Sequence, residues 1–295
     1  MSLNDSLNNI ENVPQENNFS FSCSTTYGLG GNAKYAFFPE NISQAQEVYN
    51  YIKQEKIGHV ILGKGSNILA SDKFFDGAVI GTKNLKGVYL TEKNSVFCFA
   101  GTSVSALLKF CLQNGLGGIE YLAGIPASLG GLVYMNGGAC GKYICDNIVS
   151  VKHFDGKMRD LSNKNCNFGH KYSIMRDING IILGAELNLV PQTREKTSEI
   201  ISQVLKKRKG LPKGKSCGCV FKNPQNFSAG KIIDEVGLKG LSCGGATVSK
   251  IHANFIINNG ATSAEVYSLI REVKRRVFER TGITLEEEVV YIGDF

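Results

Sequence analysis

No stretch of this chain is apolar for long enough to cross a membrane, which takes about 20 consecutive apolar residues. The opening residues, MSLNDSLNNIENVPQENN, have neither the basic n-region nor the apolar h-region of a secretion signal; the chain is expected in the cytoplasm, with residues 1–18 as a flexible arm. Basic residues and aromatics are not interleaved in any nucleic-acid-binding pattern, so the formal net charge of +7 points to an anionic partner without implying nucleic acid. A disulfide framework is missing too. The nine cysteines, at 23, 98, 111, 140, 145, 166, 217, 219 and 243, are odd in number and scattered, which fits free thiols in a reducing compartment. Cys217-Gly218-Cys219, with Cys243 and His252 downstream, leaves too short a gap for structural zinc, and no metal site is expected.

What is present is enough for two ordinary domains: 295 residues, 42% hydrophobic and 20% charged. The segment Gly115 to Gly141, GLGGIEYLAGIPASLGGLVYMNGGACG, carries paired glycines at 117–118, 130–131 and 137–138, with Glu120 as its one acidic residue. Each glycine loses more backbone entropy on folding than alanine would, so something must offset the loss. Close approach of backbone N–H groups to an anion such as a pyrophosphate is one answer. A tightly packed crossing of core segments is the other, and both stand at this point.

A second glycine loop, Gly63-Lys64-Gly65-Ser66-Asn67, follows an apolar run at His59 to Leu62 that reads as a buried strand. The dinucleotide fingerprint needs a third glycine where Ile68 stands, and a Walker A loop needs Gly-Lys-Ser/Thr at a fixed distance; neither is met. What is left is a phosphate-binding candidate, with an ordinary tight turn as the alternative.

Along the chain, Thr25 to Pro39 reads as a glycine-bearing turn and a short strand, and Ser43 with Gln46 as a capping box opening a helix that buries Ala45, Val48 and Ile52. Strands are expected at 79–81, 96–100, 149–154 and 180–190, and one helical face at Val104, Leu107, Leu108, Cys111 and Leu112. A helix over 193–207 should turn Ile200, Ile201, Val204 and Leu205 inward, and the basic run 206–215 should act as a linker. Beyond it come a short helix at 229–236, strands at 254–257 and 289–292, and a long helix opened by Thr262 and Glu265 with Val266, Leu269, Ile270, Val273 and Val277 facing the core.

Seven pieces, TTYGLGGNAKYAFFP, LGKGSN, GGIEYLAGIPASLGGLVYMNGGACG, CVFKNP, AGKIIDEVGLKG, HANFIINNGAT and LEEEV, occur in the order found in bacterial UDP-N-acetylenolpyruvoylglucosamine reductases, which the chain resembles from about residue 20 onward. The resemblance implies an α+β fold: a vanillyl-alcohol-oxidase-type FAD domain over 19–192, built of two α+β subdomains (19–85 and 86–192), then a smaller α/β domain over 193–295 for the UDP-sugar. The length resembles the shorter, second class of the family. The cofactor residues it implies are Gly63, Lys64, Gly65, Ser66, Asn67, Gly124, Ile125, Pro126, Ser128, Gly130, Gly131, Asn136, Gly137 and Gly138. Lys222, Asn223, His252 and Asn254 are implied for the substrate. No flavin linkage motif stands out, so FAD is expected to be held non-covalently.

Members of the family pass a hydride from NADPH to the flavin and on to UDP-N-acetylglucosamine enolpyruvate, giving UDP-N-acetylmuramate for peptidoglycan. They use a serine as proton donor, an arginine at the substrate carboxylate and a glutamate to steady charge. The glutamate position matches Glu288. Where the family has glycine-serine before Val-Phe-Lys-Asn-Pro, this chain has Gly218-Cys219; where it has Phe-Gly-Tyr-Arg-x-Ser, this chain has Phe168-Gly169-His170-Lys171-Tyr172-Ser173. Cys219 is therefore expected to give the proton and Lys171 the positive charge, with Arg176 as the alternative cation. A monomer is expected. Two other readings stand beside this one: an oxidase or dehydrogenase of the same flavin fold acting on another substrate, and a non-catalytic nucleotide-binding descendant.

Overall fold

The computed structural model describes residues 10, 12–225 and 227–295, so most of the expected arm lies outside the described residues. The part of that segment that is described is ordered: Ile10 and Val13 are buried, and Gln15–Ser20 is a strand. The chain forms two compact units. One holds the residues up to Asn17 with Tyr35–Lys64 and Gly77–Arg208; the other holds Asn18–Lys34, Gly65–Asp76 and Lys209–Phe295.

In the first unit, helix α1 (Ile42–Gln54) buries Ala45, Val48, Tyr49 and Ile52 on one face. These pack with Tyr35, Phe37, Ala78, Ile80 and Phe154. The helix opens two residues earlier than expected: the cap is Asn41, whose Oδ1 accepts from Gln44 N at 2.9 Å, while Gln44 Oε1 accepts from Glu40 N at 2.8 Å. Strands His59–Leu62 and Phe75–Gly81 pair in parallel, with Leu62 opposite Gly81.

A five-stranded antiparallel sheet follows in the order Met158–Ser162, Ile148–Phe154, Ile181–Asn188, Ser95–Phe99, Val88–Glu92. Its central strand, IILGAELN, is buried over nearly its whole length. Ile181 and Leu183 belong to the α1 core, and Ile182, Ala185 and Leu187 to the core under helices α2 (Val104–Gln113) and α3 (Leu129–Met135). A strand covered on both faces has no reason to alternate polar with apolar residues. Helix α4 (Arg194–Arg208) also belongs to this unit, so the division falls at Arg208/Lys209, inside the basic run, and not at the expected 192/193. Its grip is shallow: Thr197 is its buried residue, Ile200, Ile201 and Val204 are half-buried, and Leu205, expected to face inward, is 42% exposed.

The second unit contains α5 (Ala229–Glu235) and α6 (Ser263–Thr281), a three-stranded antiparallel sheet (Ser242–Cys243, Ala246–Val248, Ile256–Asn258), and a parallel pair joining Ile68–Ala70 to Val290–Ile292. Helix α6 has the expected capping box, with Thr262 Oγ1 accepting from Glu265 N at 3.2 Å and Glu265 Oε2 accepting from Thr262 N at 2.9 Å. Tyr27, Leu29 and Leu69 share the core of Val266, Leu269, Ile270, Val273 and Val277. The expected 19–85 subdomain is thus divided: 18–34 and 65–76 belong to the compact unit of the C-terminal part of the chain, and Ile68–Ala70 pairs with Val290–Ile292. The α+β class holds, with helices and largely antiparallel sheets. Among the described residues no helix is long and apolar enough to cross a membrane.

The revised cap of α1 is testable. Asn41→Ala should lower stability by about 1 kcal/mol in urea unfolding, whereas Ser43→Ala, an exposed site in the first turn, should change it by a few tenths at most. Equal effects of the two substitutions would return the cap to Ser43.

Candidate active site

In the first unit the ends of the paired strands set Gly63 and Thr82 side by side: Thr82 Oγ1 donates to Leu62 O at 3.4 Å. The chain then crosses itself closely. A methyl group added at Gly63 would lie 2.4 Å from Ser128 Oγ. That hydroxyl is buried, has no hydrogen-bond partner among the described residues, and makes no cap bond to α3, which begins at the next residue. Beside it opens a cleft of about 540 Å³ lined by Gly63, Lys64, Thr82, Lys83, Lys86, Gly101, Ser103 and Lys109, among others. Four lysines therefore line one cleft, with Lys83 Nζ 3.8 Å above the Phe38 ring. Of these only Lys64 was expected from sequence. The available signal was the GTKNLKG stretch directly after a strand.

The glycine-rich segment answers the question left open above in favour of packing over much of its length. Leu129 N donates to Thr102 O at 2.9 Å, Gly130 N to Ala100 O at 2.8 Å and Gly137 N to Leu132 O at 2.8 Å, so these N–H groups are already used. At Gly138 a Cβ would fall 1.9 Å from Lys142 O. Gly124 lies against Leu205 and Arg208, and Ile125 N donates to Leu122 O. Gly131 is different: the nearest atom to an added Cβ is Ser128 Oγ, at 3.5 Å. Asn136, expected at the cofactor, is buried in a left-handed conformation and works as a brace. Its Nδ2 donates to Gly169 O at 2.9 Å and its Oδ1 accepts from Cys145 N at 3.2 Å. Gly169 begins the loop that carries Lys171, which is itself left-handed at φ +56°.

The first glycine loop is divided between the units after Lys64. The backbone N–H groups of Lys64, Gly65 and Ser66 donate to no backbone carbonyl among the described residues. Asn67 Nδ2 donates to Glu288 O at 2.9 Å, and the Asn67 backbone carbonyl accepts from Val290 N at 2.9 Å, so side chain and backbone together hold the entry to the C-terminal strand.

Within the second unit the expected catalytic pair is brought together by backbone. Glu288 N donates to Val220 O at 2.7 Å and Lys222 N to Glu286 O at 2.8 Å, so residues 219–222 run alongside 286–288. Gly218, at φ +81° with nothing near its missing Cβ, turns the chain so that Cys217 and Cys219 part: Cys217 is buried and its thiol is pushed up to about 12 by burial, while Cys219 is half-buried. Of the substrate candidates, Asn254 spends its amide on Phe221 N at 2.9 Å and Phe221 O at 2.8 Å, and it is buried, so it holds the segment that follows Cys219. Asn223 Oδ1 accepts from Ala229 N at 3.0 Å at the start of α5. Lys222 Nζ pairs with Glu286 at 3.2 Å, and both remain on the surface side. His252 packs edge-on to Phe255, and burial lowers its pKa. No metal-ligand cluster occurs among the described residues.

Comparison with known proteins gives these sites a context. Residues 33–160 match a family model described as an FAD binding domain, and residues 210–292 one described as the C-terminal domain of UDP-N-acetylenolpyruvoylglucosamine reductase. The enzyme so named from Prochlorococcus marinus is 36% identical over 96% of this chain and 100% of its own length. That from Protochlamydia amoebophila is 41% identical over 91% and 90%. The crystal structure of the Thermus caldophilus reductase superposes with a TM-score of 0.80 at 33% identity, covering 95% of this chain and 99% of that one.

FAD is the cofactor, and the first unit's residues fit it: a polar hydroxyl buried without a partner, a glycine whose Cβ would touch that hydroxyl, and lysines to face a pyrophosphate. Removing the orphan hydroxyl separates its two states. Ser128→Ala should weaken FAD binding about tenfold, measured by flavin fluorescence titration, while leaving the stability of the FAD-free protein unchanged or slightly higher, because the hydroxyl there has nothing to lose. Unchanged FAD affinity would remove Ser128 from the cofactor site.

Proposed function

Since the chain belongs to the UDP-N-acetylenolpyruvoylglucosamine reductase family, the FAD-containing oxidoreductases of peptidoglycan precursor synthesis, we propose that it uses NADPH to reduce UDP-N-acetylglucosamine enolpyruvate to UDP-N-acetylmuramate. FAD, when bound by the first unit, would supply the hydride chemistry that links the nicotinamide to the enolpyruvyl double bond. The protein's own residues would supply the proton that completes the reduction.

In this reading Cys219 gives the proton. Its support is the placement of half-buried Cys219 one residue before Val220, whose carbonyl accepts from Glu288 N at 2.7 Å, so the two residues lie on backbone segments that hydrogen-bond to each other. Glu288 steadies the charge that develops as the proton moves. Lys171 offers a cation to the substrate carboxylate; lysine is a point charge without arginine's planar fork, so it can stabilise the carboxylate but cannot grip it in two places. The first unit would hold FAD and the second the UDP-sugar, with Lys222 and His252 as its contacts. Asn254 and Asn223 would act on the sugar indirectly, by fixing backbone.

The test is a comparison of half-reactions in stopped flow. Cys219→Ala should leave the NADPH half-reaction nearly intact and slow the enolpyruvyl half-reaction by about 10²–10⁴-fold, the usual worth of a positioned general acid. Cys219→Ser should recover much of the loss and extend activity to higher pH, because a thiol with a reference pKa of about 8.5 loses its proton where a hydroxyl keeps it. An alanine variant that reacts with the enolpyruvyl substrate at the wild-type rate would remove Cys219 from the mechanism.

A further inference from the structure

Gly169 to Tyr172 form a tight turn closed at both ends: Gly169 N donates to Tyr172 O at 3.0 Å and Tyr172 N to Gly169 O at 3.3 Å. Lys171 occupies its third position at φ +56°, where glycine or asparagine is the favoured residue. A lysine held there is backbone strain, and strain persists only where the surroundings over-determine it. Two carbonyls of the turn are held by side chains from outside it. Asn136 Nδ2 donates to Gly169 O at 2.9 Å, and Arg176 Nη1 donates to Lys171 O at 2.9 Å. Arg176 is itself fixed. It ends the single turn Ile174–Arg176, its N–H donates to Ser173 O at 3.0 Å, and its guanidinium lies 5.9 Å from the centre of the Tyr134 ring. Ser173 Oγ donates to Tyr134 O at 2.8 Å, anchoring the same turn to α3. All of these residues lie in the first unit.

We propose that Arg176 is a positioning residue that acts through Lys171: its guanidinium holds the Lys171 carbonyl so that the backbone keeps the left-handed turn, which sets where the ammonium is presented to the substrate carboxylate. The proposal rests on the reading of Lys171 given above. It also assigns the second cation of the loop a different task from the one expected by analogy, since a guanidinium donating to a backbone carbonyl is a brace and not a carboxylate fork.

The experiment uses the FAD-loaded full chain and four variants: Lys171→Ala, Arg176→Ala, Arg176→Lys and the double alanine variant. Arg176→Ala should slow the enolpyruvyl half-reaction by about 10–100-fold, the scale of a displaced catalytic group, with FAD affinity and the NADPH half-reaction within about twofold of wild type. Arg176→Lys, which can still donate to a carbonyl, should recover part of the loss. The double variant should be no slower than Lys171→Ala alone, because a residue acting through another adds nothing once that one is gone. A readout independent of turnover accompanies this: amide exchange at residues 169–172 should rise about tenfold in Arg176→Ala and not in Lys171→Ala.

The proposal is overturned if Lys171→Ala is slow and Arg176→Ala is not, if the two effects multiply in the double variant, or if Arg176→Ala loses FAD as well. The first outcome makes the brace dispensable, the second makes Arg176 a direct ligand, and the third makes it merely structural. If Lys171→Ala itself reacts at the wild-type rate, the assignment of Lys171 fails and this inference falls with it.

Discussion

The second unit depends on one short pairing, the three-residue parallel ladder between Ile68–Ala70 and Val290–Ile292. It is continued on both sides: Val290 N donates to Asn67 O, Asn67 Nδ2 to Glu288 O, and Ser71 N to Ile292 O. These partners are 221 positions apart at Asn67 and Glu288. Closing so long a loop costs only slightly more than closing a shorter one, because the entropy grows with the logarithm of length. The consequence is chemical. Once Asn67 fixes the carbonyl of Glu288, the Glu288 N–H is aimed at Val220, and the segment following Cys219 is held in register with the segment preceding the last strand. The backbone around Glu288 is thus tied both to the segment after Cys219 and to a glycine loop far away in sequence.

Glycine in this chain serves two masters. At Gly130, Gly137 and Gly138 the missing side chain lets the chain lie against Ala100, Leu132 and Lys142, and the N–H groups of the first two are consumed in doing so. At Gly63, which lines the cleft, the missing side chain makes room for the buried Ser128 hydroxyl. Composition cannot separate these uses, since the entropy cost is the same for both. What separates them is whether the neighbouring polar atoms are satisfied. Around Gly138 they are. At Ser128 one is left over, and a buried hydroxyl without a partner is tolerated in native proteins chiefly where a ligand or water completes it.

Much of the fold was legible because its signals are local. The capping box of α6 lies within four residues, and the buried stripes of α1 and α6 follow helical spacing. The cap of α1 was missed because Asn41 with Gln44 and Ser43 with Gln46 satisfy the same pattern, and only the structure shows which pair makes the bonds. Strand Met158–Ser162 left no trace in sequence for a physical reason: it is a sheet edge with just one residue half-buried, so it has no apolar face to betray it. The asparagines show why side-chain type alone does not assign a task. Asn136 and Asn254, expected at cofactor and substrate, are both buried amides bridging backbone, a task that uses the same donor and acceptor chemistry as holding a ligand. The four lysines of the cleft lie between Lys64 and Lys109, but no spacing rule links a strand end to a helix face.

The two departures from the family's residues belong together physically. In the proposed mechanism, Cys219 in place of serine would give up its proton more readily, because a thiol is a stronger acid than a hydroxyl. Lys171 in place of arginine would meet the substrate carboxylate with a single, mobile point charge and without the two-point grip that orients the acceptor. One change eases proton transfer while the other loosens the geometry in which transfer occurs. Loosened geometry is the more serious of the two, because misplacement by about 1 Å can cost on the order of 10²-fold in rate. A lysine can recover precision only if its backbone is stiff, since its four-carbon stem is not. The turn at 169–172 has that stiffness: closed by two hydrogen bonds of its own, tied at Gly169 O by Asn136 and at Lys171 O by Arg176, it trades side-chain rigidity for backbone rigidity.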